Sequence, residues 1–364
     1  MTGKKRNLLT FLLVGVLAIS LVGCGTEEQV QQPQPAPVEE AKPVTLTGAG
    51  ATFPHPLYTA MFDEYKKENP NVTVNYQAVG SGAGIKQISE QTVDFGGTDG
   101  PMKDEQLAEA KGGEILHIPT ALGAVAVVYN VPGVSELKLT PDVLTDIFLG
   151  KITKWNDPRI AADNAGVSLP DMPITVAHRS DGSGTTYIFV DYLSSVSSQW
   201  ESQVGKGTSV NWPVGIGGKG NAGVAGVVQQ TPGTIGYVEL AYAKQNNIAY
   251  AEIKNKDGKW VAPSLEGASA AAAEAEIPDD MRVSIVNAPG ADSYPISGFT
   301  WLLIYKNQTD KEKGTAVVNL ANWMIHDGQA LNEGLDYGKL PENLVAREEA
   351  LLKTINYQGE PLLK

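Results

Sequence analysis

Three times along this 364-residue chain a short apolar run breaks into a glycine-rich turn carrying a hydroxyl residue, and helical spacing follows at once. The first such segment is Gly48-Ala-Gly-Ala-Thr52-Phe53-Pro54. The second is Gly80-Ser81-Gly82-Ala-Gly84, and the third is Arg179-Ser-Asp181-Gly182-Ser183-Gly184-Thr185. A strand that feeds straight into a helix is the repeating unit of α/β proteins, so this feature restricts the fold class more than composition does.

The surrounding pattern agrees. Val44-Thr-Leu-Thr47 and Val72-Thr-Val-Asn-Tyr76 read as strands, and Val125-Ala-Val-Val-Tyr129 as a buried one. Pro54 suits a first helical position, and Leu57, Met61 and Tyr65 recur at helical spacing up to Asn69-Pro70. Ile85 and Ile88 begin a second helix. Ile174-Thr-Val-Ala177 is a strand leading to a helix with Ile188, Tyr192 and Val196. Phe299-Thr-Trp-Leu-Leu-Ile-Tyr305 is a late strand before a helix from Gly314 to His326, and the Ala-rich stretch Ala268 to Glu276 reads as a surface helix. A domain typically holds about 100–200 residues, so two α/β lobes are expected.

The turns carry a chemistry of their own. A helix N-terminus offers unpaired N–H groups and a partial positive charge. Glycine lets backbone approach a ligand, and Ser or Thr adds a further donor. Ordinary helix capping accounts for any one such segment. Three of them, one with Arg179 inside it, point to an anion site. Arg179 brings a fork that matches an oxyanion, and Asp181, two residues on, can hold that fork while the fork holds the ligand. Val93-Asp94-Phe-Gly-Gly-Thr98-Asp99-Gly100-Pro101 reads as a strand entering a turn. Asp99 is either a turn residue or, beside an anion site, an acceptor that only a protonated oxyanion satisfies.

Competing motifs are weaker. Gly215-Ile-Gly217-Gly-Lys-Gly220 fits a dinucleotide pattern but follows Trp212-Pro213 without a clear strand, so it reads as a loop. Asn221 stands where a P-loop needs Ser or Thr. The four histidines, His55, His117, His178 and His326, are scattered without metal-ligand spacing. Ser183 lacks the G-x-S-x-G elbow of a hydrolase nucleophile.

Lys4, Lys5 and Arg6 precede the apolar run Leu8 to Val22, which is short for a membrane span and ends at Leu21-Val22-Gly23-Cys24. This order resembles the lipobox of bacterial lipoproteins, which implies a signal peptide over 1–23 and lipidation of Cys24. Cys24 is the only cysteine, so no disulfide framework is available. Residues 24–43, rich in Pro, Gln and Glu, cannot bury a core and are expected to form a tether. The leader holds three of the 28 basic residues, leaving 25 against 41 acidic ones. A surface this acidic excludes nucleic acid as a partner, but a small buried anion is governed by local donors.

Taken together, Thr45-Leu-Thr-Gly-Ala-Gly-Ala-Thr-Phe-Pro54, Gly80-Ser81-Gly82, Asp94-Phe95-Gly96 with Asp99, and Arg179 to Thr185 resemble the signature segments of one family. That family is the phosphate-binding proteins of bacterial high-affinity phosphate ABC transporters. Ile147 to Trp155, Gly217 to Asn221 and Ile235 to Glu239 extend the likeness, which runs from about Val44 to Tyr357. The resemblance implies an α/β periplasmic binding protein-like fold of two lobes, residues 44–123 plus 296–364 and residues 124–295. Crossovers are expected near Leu122–Ala126 and Tyr294–Gly298. It implies phosphate ligands Thr52, Phe53 (by its backbone N–H), Ser81, Asp99, Arg179, Ser183, Gly184 (by its backbone N–H) and Thr185, with Asp181 orienting the arginine. Where the family often has Ala-Ser this chain has Gly97-Thr98, and where it has Ser this chain has Gly82.

The same resemblance implies a monomeric, lipid-anchored receptor on the extracytoplasmic face of the cell membrane, periplasmic if the cell has an outer membrane. It would pass inorganic phosphate to the permease subunits of the transporter and its cytoplasmic ATPase, with no cofactor and no metal. A phosphatase using Ser183 or Asp99 as nucleophile is the enzymatic alternative, but no base, metal site or leaving-group acid is evident in the sequence. A receptor for sulfate or molybdate is a third reading, which Asp99 opposes because a fully ionised anion would face its carboxylate.

Overall fold

The structure, a computed structural model, describes residues 42–273 and 275–363. The expected signal peptide, Cys24 and the tether up to residue 41 lie outside the described residues.

Eight strands follow one path through the main sheet: β1 (Val44–Gly50), β2 (Val72–Ala78), β3 (Phe95–Thr98), β4 (Ile115–Asn130), β5 (Thr175–Arg179), β6 (Ile216–Gly218), β7 (Thr234–Glu239) and β8 (Ser297–Tyr305). Their order in space is β2-β1-β3-β8-β4-β7-β5-β6, and a two-residue strand, Ala249–Tyr250, adds to β4. Within each half, neighbouring strands with a crossover helix between them run parallel: β1 with β2 and β3, and β5 with β6 and β7.

The join between the halves is β4. Its 16 residues are buried except the last, which is why they form a nearly unbroken apolar run instead of an alternating one. From Ile115 to Ala124 it pairs with β8, and from Val125 to Asn130 with β7. One strand thus belongs to two sheets, and the periodic Val125–Tyr129 stretch is only its second half. The chain returns beside the switch: Val125 N–H donates to Ile296 O at 2.8 Å and Tyr294 Oη donates to Val125 O at 2.9 Å. The fold is two α/β lobes joined by crossover strands at this line.

Among the helices that start just after a strand of this sheet are α1 (His55–Glu68), α2 (Ser81–Ser89), α3 (Gly184–Val196) and α4 (Gly220–Gln230). Pro54 is the N-cap of α1, one residue before the expected start. The glycines of Ser81-Gly-Ala-Gly84 lie inside α2 and not ahead of it. They let the helix lie flush on the sheet, since a Cβ at Gly84 would stand 2.6 Å from Gly50 Cα and 2.8 Å from Gly97 O.

Two expectations change. The segment read as a loop at Gly215–Gly220 is β6 running into α4, a fourth strand–turn–helix unit. Its strand is three residues long with two glycines, too short to show periodicity. A Cβ at Gly218 would lie 2.6 Å from the Gly223 carbonyl carbon, so these glycines serve close strand–helix packing. The Ala-rich helix, Leu265–Ala273, is not a surface element: Gly267, Ala268, Ala271 and Ala272 are buried beside β4. Small side chains there permit close approach. His178 is structural, its ring 4.9 Å from that of Trp212 and nearly parallel to it.

Gly84→Ala tests the flush packing. Helix propensity alone would gain about 0.5–1 kcal/mol, but overpacking typically costs about 1–3 kcal/mol, and here the obstruction is backbone that cannot rotate away. Urea unfolding should show a net loss on the order of 1–2 kcal/mol. A stabilised variant would disprove the close contact.

Candidate functional site

Parallel strands expose their carboxyl ends on one edge, where loops and helix N-termini gather. Here the ends of β1, β3, β5 and β6 meet across the line between the lobes, bringing the starts of α1, α2, α3 and α4 together. The lobes touch through polar groups. Gly82 N–H donates to Gly182 O at 2.9 Å and Gly184 N–H to Ser81 Oγ at 3.0 Å. Tyr242 Oη donates to Thr52 O at 2.6 Å. Gly80, at φ +98°, leaves room for the Asp181 carboxylate and Gly182 O, which a side chain there would strike.

Arg179 closes β5. Its side chain is 1% exposed, so it is a buried cation rather than a surface one. Such a charge persists only when paired. Asp181 supplies the pair: Nε reaches Oδ1 at 2.8 Å and Nη2 reaches Oδ2 at 2.6 Å, a two-bond fork. Gly220 N–H, at the start of α4, also donates to Asp181 Oδ1 at 3.0 Å. Burial pulls the Asp181 carboxyl upward, yet the Arg179 bonds and charge hold it below its ordinary value. Arg179 Nη1 is left towards the cleft, 3.4 Å from Thr185 Oγ1.

The hydroxyls stand around this guanidinium. Ser183 caps α3, its Oγ accepting from Thr186 N–H at 3.0 Å. Ser81 Oγ accepts from Asp99 N–H at 3.2 Å as well as from Gly184. Thr52 and Thr185 meet at Asn221, whose Nδ2 donates to the two Oγ1 atoms at 3.0 and 3.1 Å. The Phe53 side chain points away into the core, edge-on to Tyr337, and its carbonyl accepts from Tyr337 Oη at 2.6 Å.

Asp99 faces this donor set and is 1% exposed. Its Oδ1 accepts from Thr300 Oγ1 at 2.8 Å and its Oδ2 is 3.4 Å from Ser81 Oγ. Burial pushes its pKa up to about 7, against the opposing pull of Thr300, Arg179 and Ser81. Gly184 sits directly opposite, since a Cβ there would come within 2.5 Å of Asp99 Oδ2. The result is a cluster of donors around one fixed cation, with the Asp99 carboxylate beside them.

All the residues singled out in sequence, Thr52, Phe53, Ser81, Asp99, Arg179, Asp181, Ser183, Gly184 and Thr185, are gathered here by hydrogen bonds or chain adjacency. Sequence reading missed Asn221, Thr300 and Tyr242. Asn221 lay in the glycine cluster read as a loop. Thr300 was visible only as one hydroxyl in the apolar strand Phe299–Tyr305. Tyr242 carries no local signal.

Asp99 should couple folding to pH. Between the ordinary value of an unfolded Asp, about 3.9, and about 7, the folded protein keeps a proton that the unfolded chain has lost. Stability therefore falls as pH rises through that window. Asp99→Asn removes this contribution, so unfolding free energies at pH 4.5 and pH 7.5 should differ less in the variant than in the parent. Identical pH slopes would disprove a raised Asp99.

Comparison with known proteins points the same way. The family model of the PBP superfamily domain matches residues 36–327. The phosphate-binding protein PstS of Xylella fastidiosa is 42% identical over 352 residues, covering 93% of this chain and 96% of that one. The protein of the same name from Pasteurella multocida is 46% identical over 314 residues, covering 85% and 90%. Among solved structures, the high-affinity periplasmic phosphate-binding protein PfluDING, bound with phosphate, gives a TM-score of 0.68 at 20% identity, covering 85% of this chain and 93% of that one. A phosphate-binding protein from Stenotrophomonas maltophilia gives 0.65 at 20% identity with the same coverage. At that identity the structural likeness speaks for the fold, and the curated relatives speak for the family. This chain belongs to the PBP superfamily and, within it, to the PstS phosphate-binding proteins.

Proposed function

We propose that this chain is an extracytoplasmic receptor that binds inorganic phosphate between its lobes and delivers it to the permease of an ABC transporter. One observation carries the reading: a buried Arg179, its fork held by Asp181, leaves Nη1 among hydroxyls at helix starts that also gather around the buried carboxylate of Asp99. Phosphate near neutral pH is an anion that still holds a proton, and this set of donors with one acceptor is its complement. The proposed ligands are Thr52, Phe53 N–H, Ser81, Asp99, Arg179, Ser183, Gly184 N–H and Thr185, with Asp181 fixing the arginine. Residues 44–123 plus 296–364 form one lobe and 124–295 the other.

The mechanism is binding without bond-making. Phosphate that contacts both lobes favours the closed state over the open one by its differential contacts, and the closed form is what the permease engages. Asp99 selects. Above about pH 7, where its raised carboxyl is ionised, it gains a charge-assisted bond from phosphate's proton, whereas sulfate would set two like charges together in a desolvated cleft. At the other end of the chain, Cys24 is the proposed lipid attachment point, and the tether lets the folded body reach the membrane partner.

Titration calorimetry on the purified protein should show tight phosphate binding, weak sulfate binding and no hydrolysis of a phosphomonoester. Arg179→Ala should cost on the order of 1.5–3 kcal/mol of phosphate affinity, and Arg179→Lys should recover part of it, since a point charge cannot reproduce the fork. Asp99→Asn keeps the shape, removes the charge and offers a donor, so it should narrow the phosphate-to-sulfate preference chiefly by admitting sulfate. Equal sulfate exclusion in the variant would remove Asp99 from the selecting role. Cys24→Ser should yield unprocessed or released protein in cell fractionation, and membrane-bound protein without lipid would refute the anchor.

A further inference from the structure

Asn221 sits at the first turn of α4, where the lobes meet, and its side chain is fully buried. Both ends of its carboxamide are engaged. Oδ1 accepts from Glu239 N–H at 3.0 Å, and Nδ2 donates to Thr52 Oγ1 at 3.0 Å and Thr185 Oγ1 at 3.1 Å. The Glu239 backbone N–H can only donate, so the carboxamide atom facing it is the oxygen, which fixes the amide orientation.

That orientation decides what the two hydroxyls can do. A hydroxyl has one proton and two lone pairs. Thr52 Oγ1 accepts from Asn221 Nδ2 and also from the Asn221 backbone N–H at 3.3 Å. Thr185 Oγ1 accepts from Asn221 Nδ2 and faces Arg179 Nη1 at 3.4 Å. These neighbours are N–H donors without a lone pair to offer. Each hydroxyl proton is therefore excluded from the Asn221 side and left for the cleft. Ser81 differs, since its Oγ accepts from Asp99 N–H and Gly184 N–H but has the Asp99 carboxylate as an acceptor at 3.4 Å.

We propose that Asn221 is a positioning residue that fixes the polarity of the site: by donating to Thr52 and Thr185 together, it compels both hydroxyls to donate to the bound oxyanion. This rests on the reading that the cleft binds phosphate. A free hydroxyl in a closed pocket can rotate and present a lone pair to an anion, which repels it. Preorganised donors carry no such rotation cost when the ligand arrives. Asn221 shares a lobe with Thr185 and reaches across to Thr52, so the Thr52 hydroxyl is oriented only as the lobes close.

A double-mutant cycle separates this role from a structural one. Phosphate binding is titrated for the full chain, for Asn221→Ala, for the Thr52→Val/Thr185→Val pair, and for all three changes together, with melting temperatures recorded for each. Loss of even one charge-directed hydroxyl donor predicts at least about a tenfold weakening in Asn221→Ala. Where the valines leave no hydroxyl to orient, the same change should weaken binding by less than about threefold, allowing for the partial non-additivity of neighbouring sites. Equal losses in both backgrounds would overturn the inference, because a residue that merely holds the lobes acts whether or not the hydroxyls are present. Should Asn221→Ala not fold, Asn221→Asp carries the same cycle. It keeps the acceptor for Glu239 N–H and the shape but reverses both hydroxyls by offering them an acceptor; its added charge repels the anion in both backgrounds, so the difference between the two losses is what is read, and no difference overturns the inference. A parent that binds no phosphate would instead refute the proposed function and leave the Asn221 hydrogen-bond pattern as it stands.

Discussion

The site is organised around the fork between Arg179 and Asp181. A guanidinium 1% exposed cannot stand alone at the end of a strand, and its partner is only two residues away, on the turn before α3. The two-bond geometry uses Nε and Nη2 and leaves Nη1 directed at the cleft. It also fixes its surroundings. Asp181 receives Gly220 N–H from α4, and its carboxylate fills the space that a side chain at Gly80 would need. One ion pair thus sets the arginine's direction, the approach of α4 and the approach of the opposite lobe.

Because that pair is formally neutral, and because the chain carries a net charge of −13, charge alone does not make this an anion site. Oriented N–H and O–H groups do, at helix starts in a desolvated cleft where dipoles are weakly screened. A buried donor set of this kind is costly if misaligned, so its backing matters as much as its members. Asn221, Thr300 and Tyr242 form that backing. Behind them Glu239 is fully buried, its carboxyl pushed well above the usual range by desolvation, and it caps the following helix through Ala241 N–H at 2.8 Å.

Much of the fold was legible in sequence because it rests on local rules. The strand–turn–helix units at Gly48, Gly80 and Arg179 are encoded by adjacent residues, and so is the α/β class. The failures came where local signal was absent. A three-residue strand with two glycines, Ile216–Gly218, has no period to read, and its glycines report a contact with Gly223 that only the folded chain contains. Ala268 and Ala272 read as surface because alanine carries little hydrophobic signal, although β4 buries them.

The sequence by itself determined which residues could serve an anion: an arginine with a carboxylate two positions on, hydroxyls in glycine-rich turns, and one aspartate among donors. Those are properties of neighbours along the chain. Only the tertiary structure decided how they act together. β4 pairs with β8 over one half and β7 over the other, and that switch brings Thr52 against Thr185 through Asn221 and sets Gly184 against Asp99. Burial, which converts the Arg179–Asp181 pair from a surface contact into the fixed element of the site and raises Asp99, is a property of two lobes closed on each other. No stretch of sequence carries it, because the groups that exclude water from each residue lie far along the chain, as Thr300 does from Asp99, 201 positions away.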